Sequence, residues 1–321
     1  MNRSENKPRD DFEEKLVDEA DLVGRIAALK KERNAVILAH NYQRPEVQDI
    51  GDFVGDSLGL AQKAAETEAE IIVFCGVHFM AETASILNPQ KIILLPEIEA
   101  GCPMADMVTP AALIEERRRH PQAAVVAYVN TTAAVKAESD YCCTSANAVE
   151  VVKAVPQDEI IFIPDGNLAR YVASKVEDKR IIPWHGFCHV HQGITPDDIK
   201  KARESHPEAE VITHPECTQE VIALADHVRS TSGMVQAALS SPAGEFIVAT
   251  EAGMLHPLSK AVPGKNFFVP PGQHLCPNMK LTTLSKVLRS LETLEPRVKV
   301  PEEIRVKALK AVECMLELGR P

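Results

Sequence analysis

The run Phe267-Phe268-Val269-Pro270-Pro271-Gly272-Gln273-His274-Leu275-Cys276 decides the fold, because it is the third copy of one pattern. The pattern is an apolar, β-prone run, then a loop that contains proline or glycine, then a cysteine. Two earlier copies run from Ile92 to Cys102 and from Ile181 to Cys188. Seven residues after each cysteine stands a threonine, a residue typical of helix starts; the three are Thr109, Thr195 and Thr283. Each cysteine is therefore predicted to lie on a loop between a strand and a helix.

Other intervals in the chain repeat as well. A hydroxyl residue, Ser57, Ser145 or Thr231, follows a polar residue by 17 positions in all three copies; the polar residues are His40, Tyr128 and His214. From the hydroxyl residue to the cysteine the interval is 45, 43 and 45 residues. Such agreement indicates an internal triplication. The predicted organisation is a polar lead-in (1–19), repeat 1 (20–108), repeat 2 (109–194), repeat 3 (195–282) and C-terminal helices (283–321).

Each repeat alternates helices with short strands that are apolar on both faces. The predicted order is helix, strand, polar triplet, helix, hydroxyl residue, helix, strand, helix, strand and cysteine loop. This pattern is typical of a small parallel sheet with right-handed crossovers. The predicted fold class is α/β, with three homologous three-layer α/β/α domains in a pseudo-threefold arrangement. Functional residues of parallel sheets gather beyond the carboxyl ends of the strands, so we expect the active site at the central interface.

Composition excludes several classes of partner. The net charge is −11, with acidic residues scattered along the chain, which argues against nucleic acid and against an anionic membrane surface. No apolar run approaches the roughly 18 residues of a membrane span, and the first residues do not resemble a signal peptide. We therefore expect a cytoplasmic protein. For a cytoplasmic protein, the eight cysteines do not predict a disulfide framework.

A threefold arrangement would bring Cys102, Cys188 and Cys276 to one point. Three thiolates without a fourth fit a [4Fe–4S] cluster with one open iron, since electron-transfer clusters have four cysteine ligands. An open metal site can act as a Lewis acid on oxygen atoms, as dehydration requires. Two alternatives remain open: zinc with a histidine as fourth ligand, the candidates being His189, His191 and His274, or buried inert thiols.

Polar residues at equivalent strand ends complete the predicted site. Ser57, Ser145 and Thr231 are each predicted to open a helix, where free N–H groups attract carboxylate and phosphate. Glu216 is the predicted general base, with a pKa raised by burial. Further acids, bases and hydrogen-bond donors are expected among His40, Tyr42, Tyr128, Asn130, His191 and His214.

Several motifs together resemble the quinolinate synthase family over residues 40–280. They include His40-Asn41-Tyr42-Gln43, Gly55-Asp56-Ser57-Leu58, Gly101-Cys102-Pro103-Met104-Ala105, His214-Pro215-Glu216-Cys217 and Cys276-Pro277-Asn278-Met279-Lys280. The resemblance implies condensation of iminoaspartate with dihydroxyacetone phosphate, which releases phosphate and two waters. It also implies functional coupling to L-aspartate oxidase, the expected supplier of iminoaspartate.

The resemblance also implies residue roles. Cys102, Cys188 and Cys276 would hold a [4Fe–4S] cluster. Catalytic roles would fall to Glu216, Tyr42, His191 and His214, and contacts to the substrate would come from His40, Ser57, Tyr128, Asn130, Ser145, His214, Glu216 and Thr231. Some family members have a CxxCxxC run that ends in the third cluster cysteine; Pro270 to Cys276 lacks it, so no disulfide regulation is carried over. The alternatives are another iron–sulfur hydro-lyase, a non-enzymatic redox or oxygen sensor, and a zinc hydrolase.

Overall fold

Three separate four-stranded sheets form the framework of the protein. In this computed structural model, which describes residues 19–318, every strand pairing within the sheets is parallel. In each sheet the second strand of the repeat lies at one edge, followed by the first, third and fourth. The predicted α/β class with three small parallel sheets is confirmed. Residues 1–18 of the predicted lead-in lie outside the described residues.

The elements of repeat 1 occur in the predicted order with one addition, a short edge strand before Ser57. They are α1 (Glu19–Glu32), β1 (Ala35–His40), α2 (Pro45–Asp49), β2 (Phe53–Gly55), α3 (Ser57–Glu66), β3 (Ile71–Cys75), α4 (His78–Leu87) and β4 (Ile92–Leu94).

Repeat 2 follows the same plan and ends with an additional helical turn after Cys188. Its elements are α5 (Pro110–Arg119), β5 (Ala124–Tyr128), α6 (Ala133–Lys136), β6 (Tyr141–Cys143), α7 (Ala148–Ala154), β7 (Glu159–Ile163), α8 (Gly166–Ala173), β8 (Arg180–Pro183) and α9 (His189–Gln192).

Repeat 3 and the C-terminal segment complete the described chain. Their elements are α10 (Pro196–Ser205), β9 (Glu210–Thr213), α11 (Gln219–Ile222), β10 (His227–Val228), α12 (Thr231–Ser240), β11 (Glu245–Ala249), α13 (Leu255–Ala261), β12 (Asn266–Phe268), α14 (Leu284–Thr293) and α15 (Glu302–Leu318).

The edge strands β2, β6 and β10 were not predicted from the sequence, because two or three residues are too few to show a hydrophobic period. An aspartate just before each of them fixes its position. The carboxylates of Asp52, Asp140 and Asp226 each accept a backbone N–H from the neighbouring strand at 2.8 Å. These aspartates stand five residues before the hydroxyl residue in all three repeats, a signal that sequence analysis could have used.

The threonines after the cysteines cap helices, as predicted. The hydroxyls of Thr109, Thr195 and Thr283 accept the backbone N–H three residues further on, at 3.2, 3.2 and 3.4 Å. Each hydroxyl satisfies an N–H that has no partner inside its helix. The caps therefore end each cysteine loop at an equivalent position.

The C-terminal helices make the three repeats unequal. Helix α14 packs against α1 and β3, whereas α15 packs against β6 and α6. The buried face of α15 has helical spacing and joins the cores of repeats 1 and 2 into one apolar cluster; its residues are Ala308, Ala311, Val312 and Met315. Repeat 3 keeps its own cores on the two faces of its sheet. No helix within residues 19–318 is long and apolar enough to cross a membrane.

Candidate active site

One cavity at the junction of the three repeats collects every site residue that the sequence predicted. The space inside it, counted out to the open solvent at its mouth, is about 730 Å³. The predicted residues in its lining are His40, Tyr42, Ser57, Cys102, Tyr128, Asn130, Ser145, Cys188, His191, His214, Glu216, Thr231 and Cys276. Their location is thus common to all of them, while their individual roles stay predictions.

The three cysteines of the cavity share one local geometry. The sulfur of Cys102 accepts the backbone N–H of Ala105, and Cys188 and Cys276 are hydrogen-bonded in the same way by the residue three positions on. Burial raises the pKa of the free Cys102 thiol to about 12 and also raises the pKa of the other two. The N–H donors act in the opposite direction, because they stabilise a thiolate. This donor set fits a metal cluster that keeps all three sulfurs deprotonated.

Two buried carboxylates hold the loops of the second and third cysteines. The backbone N–H of Cys188 lies close enough to Asp165 to lower the pKa of its carboxyl group, and Glu251 accepts the N–H of Cys276 at 3.1 Å. Both acids stand 20 residues after the hydroxyl residue of their repeat, where repeat 1 has Val77. Neither acid is among the site residues predicted from the sequence, although the repeat spacing could have indicated both.

Glu216 lies at the centre of a polar network. The Tyr128 hydroxyl donates to its Oε1 at 2.5 Å, and His191 Nδ1 lies 2.8 Å from its Oε2, at an angle outside that of a regular hydrogen bond. Burial acts to raise the pKa of Glu216, but His191, His214 and the Tyr128 hydroxyl lower it by more, so the net pKa is below the ordinary value. The expectation of a raised pKa is therefore wrong, because partners distant in sequence surround the carboxylate.

The pKa of Asp165 is shifted in the opposite direction from that of Glu216. Burial raises its pKa well above the ordinary range, and the negative charge of Glu216 raises it further. Two buried acids near one cavity thus have pKa values that are shifted in opposite directions, downward for Glu216 and upward for Asp165. Such separation is typical of sites that assign different roles to two carboxyl groups.

His40 and His214 are held as neutral rings by equivalent contacts. The Nδ1 atom of each accepts the backbone N–H of the residue two positions on, Tyr42 at 3.1 Å and Glu216 at 3.4 Å. Burial lowers the pKa of both histidines to about 3. Because Nδ1 is an acceptor, the proton of each neutral ring is on Nε2. The Nε2 atom of His214 lies 3.2 Å from the hydroxyl of Ser145.

The three hydroxyl residues are not equivalent in the structure. Ser57 and Thr231 are the first residues of α3 and α12, whose caps are the preceding residues, Asp56 and Ser230. Ser145 precedes α7 by a turn, so the prediction that it opens a helix is wrong. Because other side chains cap α3 and α12, the hydroxyls of Ser57 and Thr231 are not needed as caps and line the cavity.

The lining of this cavity, as the structure describes it, contains no lysine or arginine. The nearby cation of Lys280 is committed elsewhere: its Nζ donates to the Tyr42 carbonyl oxygen at 2.5 Å and lies 3.0 Å from Glu251 Oε1. The polar donors of the cavity are therefore histidine N–H groups, hydroxyls, the Asn130 amide and helix N-termini.

The structure brings together a set of possible metal ligands that differs from the one predicted for zinc. One sulfur, from Cys188, groups with His191 and Glu216, their ligand atoms lying within 4.8 Å of one another, so these three could hold a metal ion. His189 lines the cavity, but His274 lies outside the lining, with Nε2 3.0 Å from the Pro271 carbonyl oxygen. Among the described residues, no single histidine completes the set of three cysteines in the manner predicted for zinc.

Fold and site together define a class: an α/β enzyme of three repeats, with one active site assembled from strand-end loops and three cysteine thiols. Comparison with known proteins gives the family. The family model described as Quinolinate synthetase A protein matches residues 24–317. The chain belongs to this quinolinate synthase family, whose members are iron–sulfur enzymes.

Curated relatives agree over nearly the whole chain. The chain is 56% identical to quinolinate synthase 1 of Methanosarcina acetivorans over 298 residues, 93% of this chain and 98% of the relative. It is 57% identical to the quinolinate synthase of Thermodesulfovibrio yellowstonii over 296 residues, 92% of this chain and 98% of the relative. For the quinolinate synthase of Geobacter metallireducens the identity is 54% over 295 residues, 92% of this chain and 97% of the relative.

Proposed function

We propose that the protein condenses iminoaspartate with dihydroxyacetone phosphate to give quinolinate, phosphate and two waters. The observation that carries the proposal is the set of three sulfurs, Cys102, Cys188 and Cys276, each with an N–H donor three residues on and all facing one cavity with Glu216. Family membership supports the same reaction class. The proposed location is the cytoplasm, with iminoaspartate supplied by L-aspartate oxidase.

The proposed cofactor is a [4Fe–4S] cluster held by these three cysteines. When bound, a cluster with one open iron supplies a Lewis acid for a hydroxyl or carboxylate oxygen. The hydrogen bonds to the sulfurs favour this assignment, because they stabilise thiolates in a buried place where free thiols would stay protonated.

Substrate anions would be held without lysine or arginine. The N-termini of α3 and α12, each ten residues long, carry partial positive charge beside Ser57 and Thr231. The Nε2–H groups of His40 and His214 add neutral donors. We propose that these groups bind the carboxylates and the phosphate, and that Tyr128, Asn130 and Ser145 orient the condensed molecule.

Proton transfer would fall to Glu216, Tyr42 and His191. An ionised Glu216 beside His191 stabilises the protonated ring that forms whenever His191 accepts a proton. Tyr42 supplies a hydroxyl at the cavity, and burial raises the pKa of that hydroxyl well above its ordinary value, so it carries its proton before reaction. These three residues can therefore donate and accept protons within the cavity.

The test combines metal analysis with a direct assay. Anaerobically prepared protein should contain about four irons and four sulfides per chain and should form quinolinate from the two substrates. Cys188→Ala should lose iron, the visible absorption band and activity. Cys314→Ala is the matched control, since Cys314 lies on α15 outside the cavity lining, and it should keep all three. Full quinolinate formation by a Cys188→Ala protein without a cluster, or zinc in place of iron, would contradict the proposal.

A further inference from the structure

Lys136 is a fully buried cation beside the cavity. It is the last residue of α6, and its side chain is 0% exposed. Its Nζ donates to the carbonyl oxygen of Thr131 and lies 5.5 Å from the centre of the Phe79 ring. Phe79 belongs to the cavity lining, and Thr131 directly follows the lining residue Asn130. The ammonium group therefore lies one residue away from the cavity wall at two points.

The equivalent position in repeat 1 shows that this hydrogen bond does not need a charge. Gln48 stands where repeat 2 has Lys136, eight residues after the polar residue at the end of the first strand. Its Nε2 donates to the Gln43 carbonyl oxygen at 2.9 Å, which corresponds to the bond from Lys136 to Thr131. A neutral amide thus makes the same loop contact. The charge of Lys136 is an addition, and a buried charge is costly unless it interacts favourably with other charges.

The charge of Lys136 is not neutralised by a paired acid. Burial lowers the pKa of Lys136, and nearby thiols and a carboxyl group, the Cys102 thiol among them, oppose this shift. The contacts with a carbonyl oxygen and an aromatic ring both favour the ammonium form. Within residues 19–318 its Nζ forms no ion pair with a carboxylate, in contrast to the Nζ of Lys280, which lies 3.0 Å from Glu251 Oε1. The field of Lys136 therefore extends into the cavity.

We propose that Lys136 is a specificity-determining residue whose charge, acting through the cavity wall, selects dicarboxylate ligands and offsets the negative charge of the three cysteine sulfurs; this inference rests on the proposed function. A dianionic substrate must enter a cavity whose described lining has no lysine or arginine and holds Glu216, a carboxyl group with a lowered pKa. Lys136 is absent from that lining, so it acts over a distance and does not touch the substrate.

Two substitutions separate the charge of Lys136 from its hydrogen bond. Lys136→Gln introduces the residue type of repeat 1 and keeps a donor, whereas Lys136→Met removes both. The probe is succinate, a dianion with the carbon skeleton of iminoaspartate, and calorimetry measures its binding to the iron-loaded protein. Its dissociation constant should rise about tenfold in both variants, the effect of losing a cation about 10 Å from the ligand inside a protein. Lys153→Met, at an exposed position of α7, is the control and should leave that constant unchanged.

A redox titration gives a readout that a merely structural role would not move. The reduction potential of the bound cluster should become more negative in both variants at unchanged iron content, because nearby charge sets that potential. Succinate affinity within twofold of the unsubstituted protein in Lys136→Gln, an unchanged potential, a loss of iron that parallels the loss of affinity, or no succinate binding by the unsubstituted protein would each overturn the inference. Absence of quinolinate formation by the unsubstituted, iron-loaded protein would instead refute the proposed function.

Discussion

The Nδ1 atom of His191 lies 2.8 Å from Oε2 of Glu216, and both side chains are almost fully buried. This pair joins the turn that follows Cys188 to the end of β9 in repeat 3. A buried carboxylate that lies beside an imidazole ring and accepts a tyrosine O–H is stabilised in its ionised form. The charge state and the orientation of both residues therefore depend on each other.

Removal of the Glu216 charge should stop the reaction without emptying the metal site. Glu216→Gln keeps the shape but no longer stabilises a protonated His191, so we expect kcat to fall about 100-fold or more. Steady-state assays of quinolinate formation, with iron counted in the same samples, measure the effect. Glu210→Gln, at the opposite end of β9, is the control and should leave kcat unchanged. Equal activity of the two variants would exclude a catalytic role of Glu216.

The buried histidines should make the fold less stable in mild acid. The pKa of His40 and of His214 is about 3 in the folded protein, against an ordinary value of 6.5. As pH falls from 7 to 5, these histidines bind protons in the unfolded chain but not in the folded chain. Each histidine should therefore lower the free energy of unfolding by about 2 kcal/mol over this range.

Urea unfolding at both pH values measures this dependence. His214→Gln should reduce the pH-dependent loss of unfolding free energy by about 2 kcal/mol. His185 is exposed, so His185→Gln is the matched control. An identical pH dependence in the His214→Gln protein and in the unsubstituted protein would show that His214 is not held neutral.

Lys280 should stabilise the loop of the third cysteine by neutralising Glu251. The Glu251 side chain is buried, and its Oε1 lies 3.0 Å from Lys280 Nζ. Lys280→Met leaves that carboxylate without a countercharge, which should cost about 3 kcal/mol and lower the iron content, since Glu251 also accepts the N–H of Cys276.

The exposed Lys260 provides the matched control for the Lys280 substitution. Lys260 pairs with Asp49 at 2.7 Å, but both side chains are about half exposed, so Lys260→Met should cost less than about 1 kcal/mol. Denaturant unfolding and iron analysis of the two variants check the prediction. Equal stability of both would mean that the buried pair contributes no more than an exposed one.

A close backbone approach should make Gly186 indispensable for the Cys188 loop. A Cβ at Gly186 would lie 2.4 Å from the Pro164 carbonyl oxygen, which backbone movement alone can relieve. Gly186→Ala should therefore cost about 1–3 kcal/mol or more and reduce iron binding, because Cys188 is two residues away. A Cβ at Gly24 would meet no atom within 4 Å, and Gly24→Ala in α1 should stabilise the protein by about 0.5–1 kcal/mol. Thermal unfolding of both variants measures the contrast; an unperturbed Gly186→Ala protein would contradict it.

Local patterns in the sequence were enough to predict much of the architecture. The cysteine loops, the threonine caps and the apolar strands depend on neighbours in the chain, so equal spacing in three segments was enough to predict three similar sheets. The same spacing placed Cys102, Cys188 and Cys276 at corresponding strand ends. It could also have indicated the aspartates before the edge strands, which are equally regular.

The sequence by itself thus determined three parallel α/β repeats and the candidate residues at their strand ends, because hydrogen bonding and hydrophobic periodicity within a repeat are local. Only the tertiary structure decided how those residues work together. The lowered pKa of Glu216 and the raised pKa of Asp165 both depend on side chains from other repeats. Electrostatic interactions and burial depend on distance in space, and that distance is set by how the repeats pack.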